Sequence, residues 1–127
     1  MDFRDTDRAR DYRVRLEAFM DECVYPAEAT IAEQVRDSGD PHHYPAAMEE
    51  LKAEAKARGL WNLFHPHPGR GPGLTNAEYA PLAEIMGRSP HIAPEACNCN
   101  APDTGNMEVL ELYGTEEHRT RWLEPLL

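Results

Sequence analysis

Apolar positions recur with a helical period along most of this chain. Tyr12, Leu16, Phe19, Met20, Cys23 and Val24 fall at i, i+4, i+7, i+8, i+11 and i+12. That spacing predicts one continuous buried face on a helix over 6–36. Arg10, Arg13, Arg15, Glu17 and Asp21 occupy the opposite face, and Asp5, Thr6 or Asp7 can cap the start. Pro26 predicts a kink or a new helix start, because it has no N–H and its ring crowds the preceding turn. The pattern resumes at Ala27, Ile31 and Val35 and stops at Ser38-Gly39-Asp40-Pro41.

A second helix is predicted from near Pro45, with Met48, Leu51 and Ala55 inward and Gly59 just past its end. Leu60, Trp61, Leu63 and Phe64 follow at once and read as a strap across the core. Residues 65–74, rich in Pro and Gly, are irregular. Thr75 and Glu78 then match a capping box, and Tyr79, Leu82, Ile85 and Met86 give a third helix its buried face. Pro81 argues against a regular first turn there. Residues 88–101 read as a turn-rich connection. A fourth helix is predicted from about Pro102 to Tyr113, with Asp103 or Thr104 as cap, Val109 and Leu110 on an apolar stripe with Met107, and Gly114 as stop. Thr115 caps a fifth, with Trp122, Leu123 and Leu126 inward. No segment alternates as a strand, so the expected class is all-α, a helical bundle of about five to six helices spanning 1–127 as one domain.

Charge narrows the function classes. The 23 acidic and 13 basic residues give a formal net charge of −10. Such a surface disfavours nucleic acid and anionic membranes as partners. No apolar run approaches the length of a membrane span, and the charged N-terminus has no apolar signal core, so the expected compartment is cytoplasmic. The three cysteines, Cys23, Cys97 and Cys99, read as free thiols.

Candidate chemistry is sparse. His65-x-His67 on a proline-rich loop and Cys97-x-Cys99 lack the spacing of a metal site, so no metal ligands are expected. Gly69, Gly71 and Gly73 around Arg70 lack the Lys-Ser/Thr ending and the preceding strand of a phosphate loop, and read as a surface loop. Glu108 and Glu111, one turn apart, read as a solvated face, and Trp61 and Trp122 as core anchors.

Three runs carry a resemblance. GLWNLF at 59–64, GLTNAEYAPLAEIMGRS at 73–89 and NCNAPDTGNMEVLELYG at 98–114, continued by EEHRTRWLEPLL, closely resemble the acyl-CoA dehydrogenase family. The branch it is most similar to carries an NC-x-APDTGNMEVL signature. The resemblance implies the N-terminal helical domain of an enzyme that dehydrogenates acyl-CoA thioesters with FAD. It implies that the catalytic glutamate and the flavin site belong to a β-domain and a C-terminal helical domain, so that no catalytic or cofactor-binding residue and no bound FAD are expected in these 127 residues alone.

The resemblance also places the elbow at 97–107 in the wall of the acyl site, with Cys97, Asn98, Ala101, Pro102, Gly105 and Asn106 as the substrate-binding candidates. Cys97 stands where this branch usually has phenylalanine, and His65-Pro66-His67-Pro68 is less apolar than the family's loop. The expected partners are acyl-CoA, a complementing flavin-domain chain or a second copy. The alternative is a stand-alone helical interaction module derived from that domain, whose apolar faces bind a partner.

Overall fold

A computed structural model describes residues 4–127. The elements are α1 (Asp7–Phe19), a π-helical turn (Met20–Val24), α2 (Tyr25–Ser38), α3 (Ala46–Ala57), α4 (Asn76–Met86), α5 (Ala93–Ala96), α6 (Asp103–Tyr113), α7 (Glu116–His118), a second π-helical turn (Arg119–Leu123) and α8 (Glu124–Leu126). No strand occurs among the described residues.

Both π-helical turns stand two residues ahead of a proline, Pro26 in one case and Pro125 in the other. A regular α-turn would drive each ring into the carbonyl four residues back. The wider turn bonds Tyr25 N–H to the Met20 carbonyl and Glu124 N–H to the Arg119 carbonyl instead. Helical backbone therefore runs from Asp7 to Ser38, with Pro26 placed in the first turn of α2. Pro81 is also tolerated inside α4. The bond it forgoes would go to the carbonyl of Ala77, an exposed first-turn residue that water can reach.

One core unites α1 to α5. Leu16, Phe19, Met20 and Val24 meet Ile31 of α2, Met48, Leu51 and Ala55 of α3, Leu82, Ile85 and Met86 of α4, and Ala93 and Ala96 of α5. Leu60 and Leu63 of the strap are completely buried within it, whereas Trp61 and Phe64 are only half-buried. Two leucines thus cross the core and two aromatic rings seal its edge. The short α5 was not foreseen in the 88–101 connection; its four residues are too few to show a period.

α6 and the closing helical segment form a smaller layer. Met107 and Leu123 are fully buried there. Trp122 is 53% exposed and lies against Arg121, contrary to the expectation of a core anchor. Leu123 takes the inward position, and its neighbour is turned outward. Val109, Leu112 and Tyr113 are also exposed. Neither Asp103 nor Thr104 caps α6; Pro102 stands at the cap position without a side-chain bond, and the two polar residues lie inside the first turn.

A single carboxylate joins the starts of α1 and α4. Thr6 caps α1 by accepting from Ala9 N–H, and its hydroxyl donates to Glu78 at 2.8 Å. Arg8 Nη2 lies 2.6 Å from Glu78, and Thr75 N–H donates to the same carboxylate at 2.9 Å, completing the capping box. The Arg8 guanidinium first, then the Thr75 amide, hold the Glu78 carboxyl down to about 2. Its ordinary value is 4.5, so the folded state binds this proton less readily than the unfolded chain. The stabilisation is therefore complete above the unfolded value and is lost as pH falls from 4.5 to about 2. Urea midpoints measured across that range should fall steeply for the natural chain. The Glu78→Gln variant should be weaker at neutral pH and flatter in acid.

Candidate functional site

The elbow from α5 to α6 is held in place by two asparagines in left-handed backbone. Asn62 has φ 54° and Asn98 has φ 53°. Asparagine tolerates this region better than most residues because its short amide can bond locally. Asn98 Nδ2 donates to Asn62 Oδ1 at 2.6 Å and to the Leu126 carbonyl at 2.8 Å. Asn62 Nδ2 donates to the Leu127 and Arg70 carbonyls, both at 2.9 Å. Trp61 Nε1 donates to the Leu127 carbonyl at 2.6 Å. The strap, the elbow and residues 126–127 are thereby pinned at one point.

The 65–74 loop is docked on the same point. A Cβ on Gly71 would stand 2.4 Å from the Asn62 carbonyl oxygen, so only glycine permits this approach. Arg70 reaches Glu111 at 2.9 Å and Glu124 at 2.8 Å. Glu111 is consequently part-buried in an ion pair, while Glu108 beside it is exposed.

Asn100 secures the other flank. Its amide donates to Glu95 at 3.2 Å, and Lys52 lies 2.6 Å from the same carboxylate. Burial alone would raise the Glu95 carboxyl, but Lys52 and Asn100 outweigh it and leave it below its ordinary value.

The six residues singled out in the elbow occupy two layers. Ala101, Pro102, Gly105 and Asn106 are exposed and share the outer side of the Ala101–Pro102 cis peptide and the first turns of α6. No atom lies within 4 Å of a Cβ built on Gly105. Cys97 is completely buried in the core, and its carbonyl accepts from Asn62 N–H at 3.0 Å. Asn98 is half-buried in the clamp. The outer four can meet a ligand directly; the inner two set the bend behind them.

The other reactive groups are quiet. Burial pushes the thiols of Cys97 and Cys99 up, so both are protonated and poorly nucleophilic at neutral pH. Among the described residues no group of three His, Cys, Asp or Glu side chains is arranged to hold a metal ion, and no helix is long and apolar enough to cross a membrane. Trp61, Asn62, Arg70, Glu95 and Lys52 were not expected at this site. The one signal that could have found Asn62 is its place three residues after a C′ glycine, inside an apolar strap where a polar residue needs a buried partner.

Comparison with known proteins gives a consistent result. The profile "Acyl-CoA dehydrogenase, N-terminal domain" matches residues 6–127. The chain is 56% identical over 128 residues to "Probable acyl-CoA dehydrogenase FadE2" of Mycobacterium tuberculosis, covering 100% of this chain and 31% of that protein. It is 43% identical to acyl-CoA dehydrogenase family member 11 of Homo sapiens, covering 98% of this chain and 16% of that one. A solved structure described as a "putative acyl-CoA dehydrogenase from Mycobacterium abscessus" superposes with a TM-score of 0.87 at 45% identity, over 97% of this chain and 32% of that chain. The chain therefore spans less than a third of the length of these relatives.

Proposed function

The chain belongs to the acyl-CoA dehydrogenase family, as its N-terminal helical domain, and on that premise we propose that it supplies one wall of the acyl-binding site of an FAD-dependent enzyme. The flavin and the catalytic base come from polypeptide outside these 127 residues, and the domain alone is inactive. FAD accepts the hydride removed from the acyl β-carbon when the enzyme is assembled. The role of this chain is to shape and dry the acyl site.

The observation that carries this reading is the two-layer elbow. Ala101, Pro102 and Gly105 present little side-chain bulk on an exposed surface, so an acyl chain can lie close to the backbone. Asn106 adds a polar group at the rim. Cys97 and Asn98 stand behind them, and Asn62, Glu95 and the clamp on residues 126–127 keep the bend fixed. A rigid wall excludes water without reorganising as substrate enters.

The exposed apolar groups Val109, Leu112, Tyr113 and Trp122 fit a face that the remainder of the subunit covers. The same face favours the alternative of an interaction module that has lost the enzyme.

A domain exchange separates the two. This chain replaces the matching segment of the Mycobacterium tuberculosis relative, and flavin content and dye-linked acyl-CoA oxidation are measured. The chimera should bind FAD and turn over. Gly105→Phe in that chimera should leave flavin content unchanged and shift preference toward shorter acyl chains, by about tenfold in kcat/KM between long and short substrates (roughly 1.4 kcal/mol). A folded chimera that holds FAD but oxidises no acyl-CoA favours the interaction module.

A further inference from the structure

Two buried polar atoms that make no hydrogen bond open onto one recess. His65, Pro66, His67, Glu108, Glu111 and Leu112 line a cavity of about 180 Å³ between the 65–67 loop and α6. His65 is 1% exposed. His67 N–H donates to His65 Nδ1 at 3.2 Å, so Nδ1 is the acceptor and the ring proton sits on Nε2. Burial, the largest influence on this ring, keeps it neutral. Nε2 is enclosed and bonds to nothing. Glu111 Oε2 is the second such atom. It lies 2.9 Å from Arg70 Nε, but the two are not aligned as a hydrogen bond. The recess thus holds one donor without an acceptor and one acceptor without an aligned donor.

We propose that this recess is a socket for a primary carboxamide, the side chain of an asparagine or glutamine on the polypeptide that covers α6 in the assembled subunit. The proposal rests on the reading of this chain as one part of a longer acyl-CoA dehydrogenase. A carboxamide satisfies both atoms at once: its oxygen accepts from His65 Nε2–H while its NH₂ donates to Glu111 Oε2. A carboxylate would confront Glu111 and Glu108. An ammonium group has nothing to offer the imidazole N–H and would sit beside Arg70. A single hydroxyl or water fills little of the volume, since a water takes up about 30 Å³ in the liquid.

The rim suits a covering chain. Leu112 lines the recess and is 65% exposed, and Val109 and Tyr113 on the same helix are 58% and 80% exposed. The relatives carry the polypeptide to cover it, since this chain spans 31% of the mycobacterial protein. The socket would give that docking register as well as adhesion, because leaving two buried groups unpaired penalises any other alignment.

The test uses the 127-residue chain labelled with ¹⁵N-histidine, with acetamide as the probe. Acetamide should shift the His65 Nε2–H resonance saturably, at millimolar concentration. Acetate, and N,N-dimethylacetamide, which cannot donate, should bind about tenfold or more weakly. Glu111→Leu should abolish the response, and Glu108→Gln should keep it. Should the Glu111 variant fail to fold, the comparison of acetamide with N,N-dimethylacetamide on the natural chain decides. No saturable shift, or an equal response to N,N-dimethylacetamide, overturns the socket. Acetamide binding by a chain whose chimera is inactive would refute the enzyme reading and leave the socket chemistry intact.

Discussion

Asn62→Ala should destabilise the chain by roughly 3–4 kcal/mol. Asn62 is 2% exposed and its amide takes part in three hydrogen bonds: two donated to backbone carbonyls and one accepted from Asn98. Each is worth about 1 kcal/mol net, and the Asn98 amide and the Arg70 carbonyl would lose a partner inside the fold. Alanine would also have to hold φ 54° without a compensating bond, at a further cost of about 1 kcal/mol. Asn62→Gly removes the same bonds but not the backbone tolerance. It should therefore cost about 1 kcal/mol less than alanine, the reverse of the usual order for these two residues. Urea denaturation of the three chains checks this. An alanine variant more stable than the glycine variant would show that left-handed backbone at position 62 is not what selects asparagine.

Phe19→Ala is the second large effect, at about 3–5 kcal/mol. Phe19 is fully buried and lies at the junction where α1 passes into the first π-helical turn. Its ring also lies beneath the Arg58 guanidinium, which ends α3 and pairs with Glu54 and Glu22. The cavity left by alanine would remove packing shared by three elements and loosen the Arg58 network beside it. The surrounding helices cannot collapse freely, because the α1–α4 link through Glu78 and the α2–α3 packing hold them apart. A variant that loses less than about 1 kcal/mol would mean that this junction repacks. Thermal or urea unfolding measures the difference.

Periodicity served best where elements are long and exposed on one side. The faces of α1, α3 and α4, the Thr75–Glu78 capping box and the Gly59 stop were all legible, because each follows from spacing or from one residue's backbone preference. The proline positions were legible as perturbations but not in their outcome. A period of 3.6 has no place for the extra residue of a π-helical turn, so Pro26 looked like a break and Trp122 was assigned inward. Glu111 looked solvated because its partner, Arg70, is far away in sequence and sits in a loop with no period.

The elbow itself was legible only through resemblance. The division between its outer residues, Ala101, Pro102, Gly105 and Asn106, and its inner ones, Cys97 and Asn98, depends on the Asn62 clamp. Nothing local encodes that clamp: it joins three segments that are distant in sequence. The GLWNLF run gave its leucines correctly as core, but Trp61 and Asn62 within it serve as hydrogen-bond donors to residues 126–127.

The central claim is that these 127 residues shape an acyl site but carry neither the flavin nor the base. It is tested most directly on the purified chain, incubated with FAD and an acyl-CoA and then examined for bound flavin and for dye reduction. The account predicts a colourless protein after removal of free FAD, with no oxidation above the rate without protein. A chain that retains flavin and oxidises the thioester would contradict it.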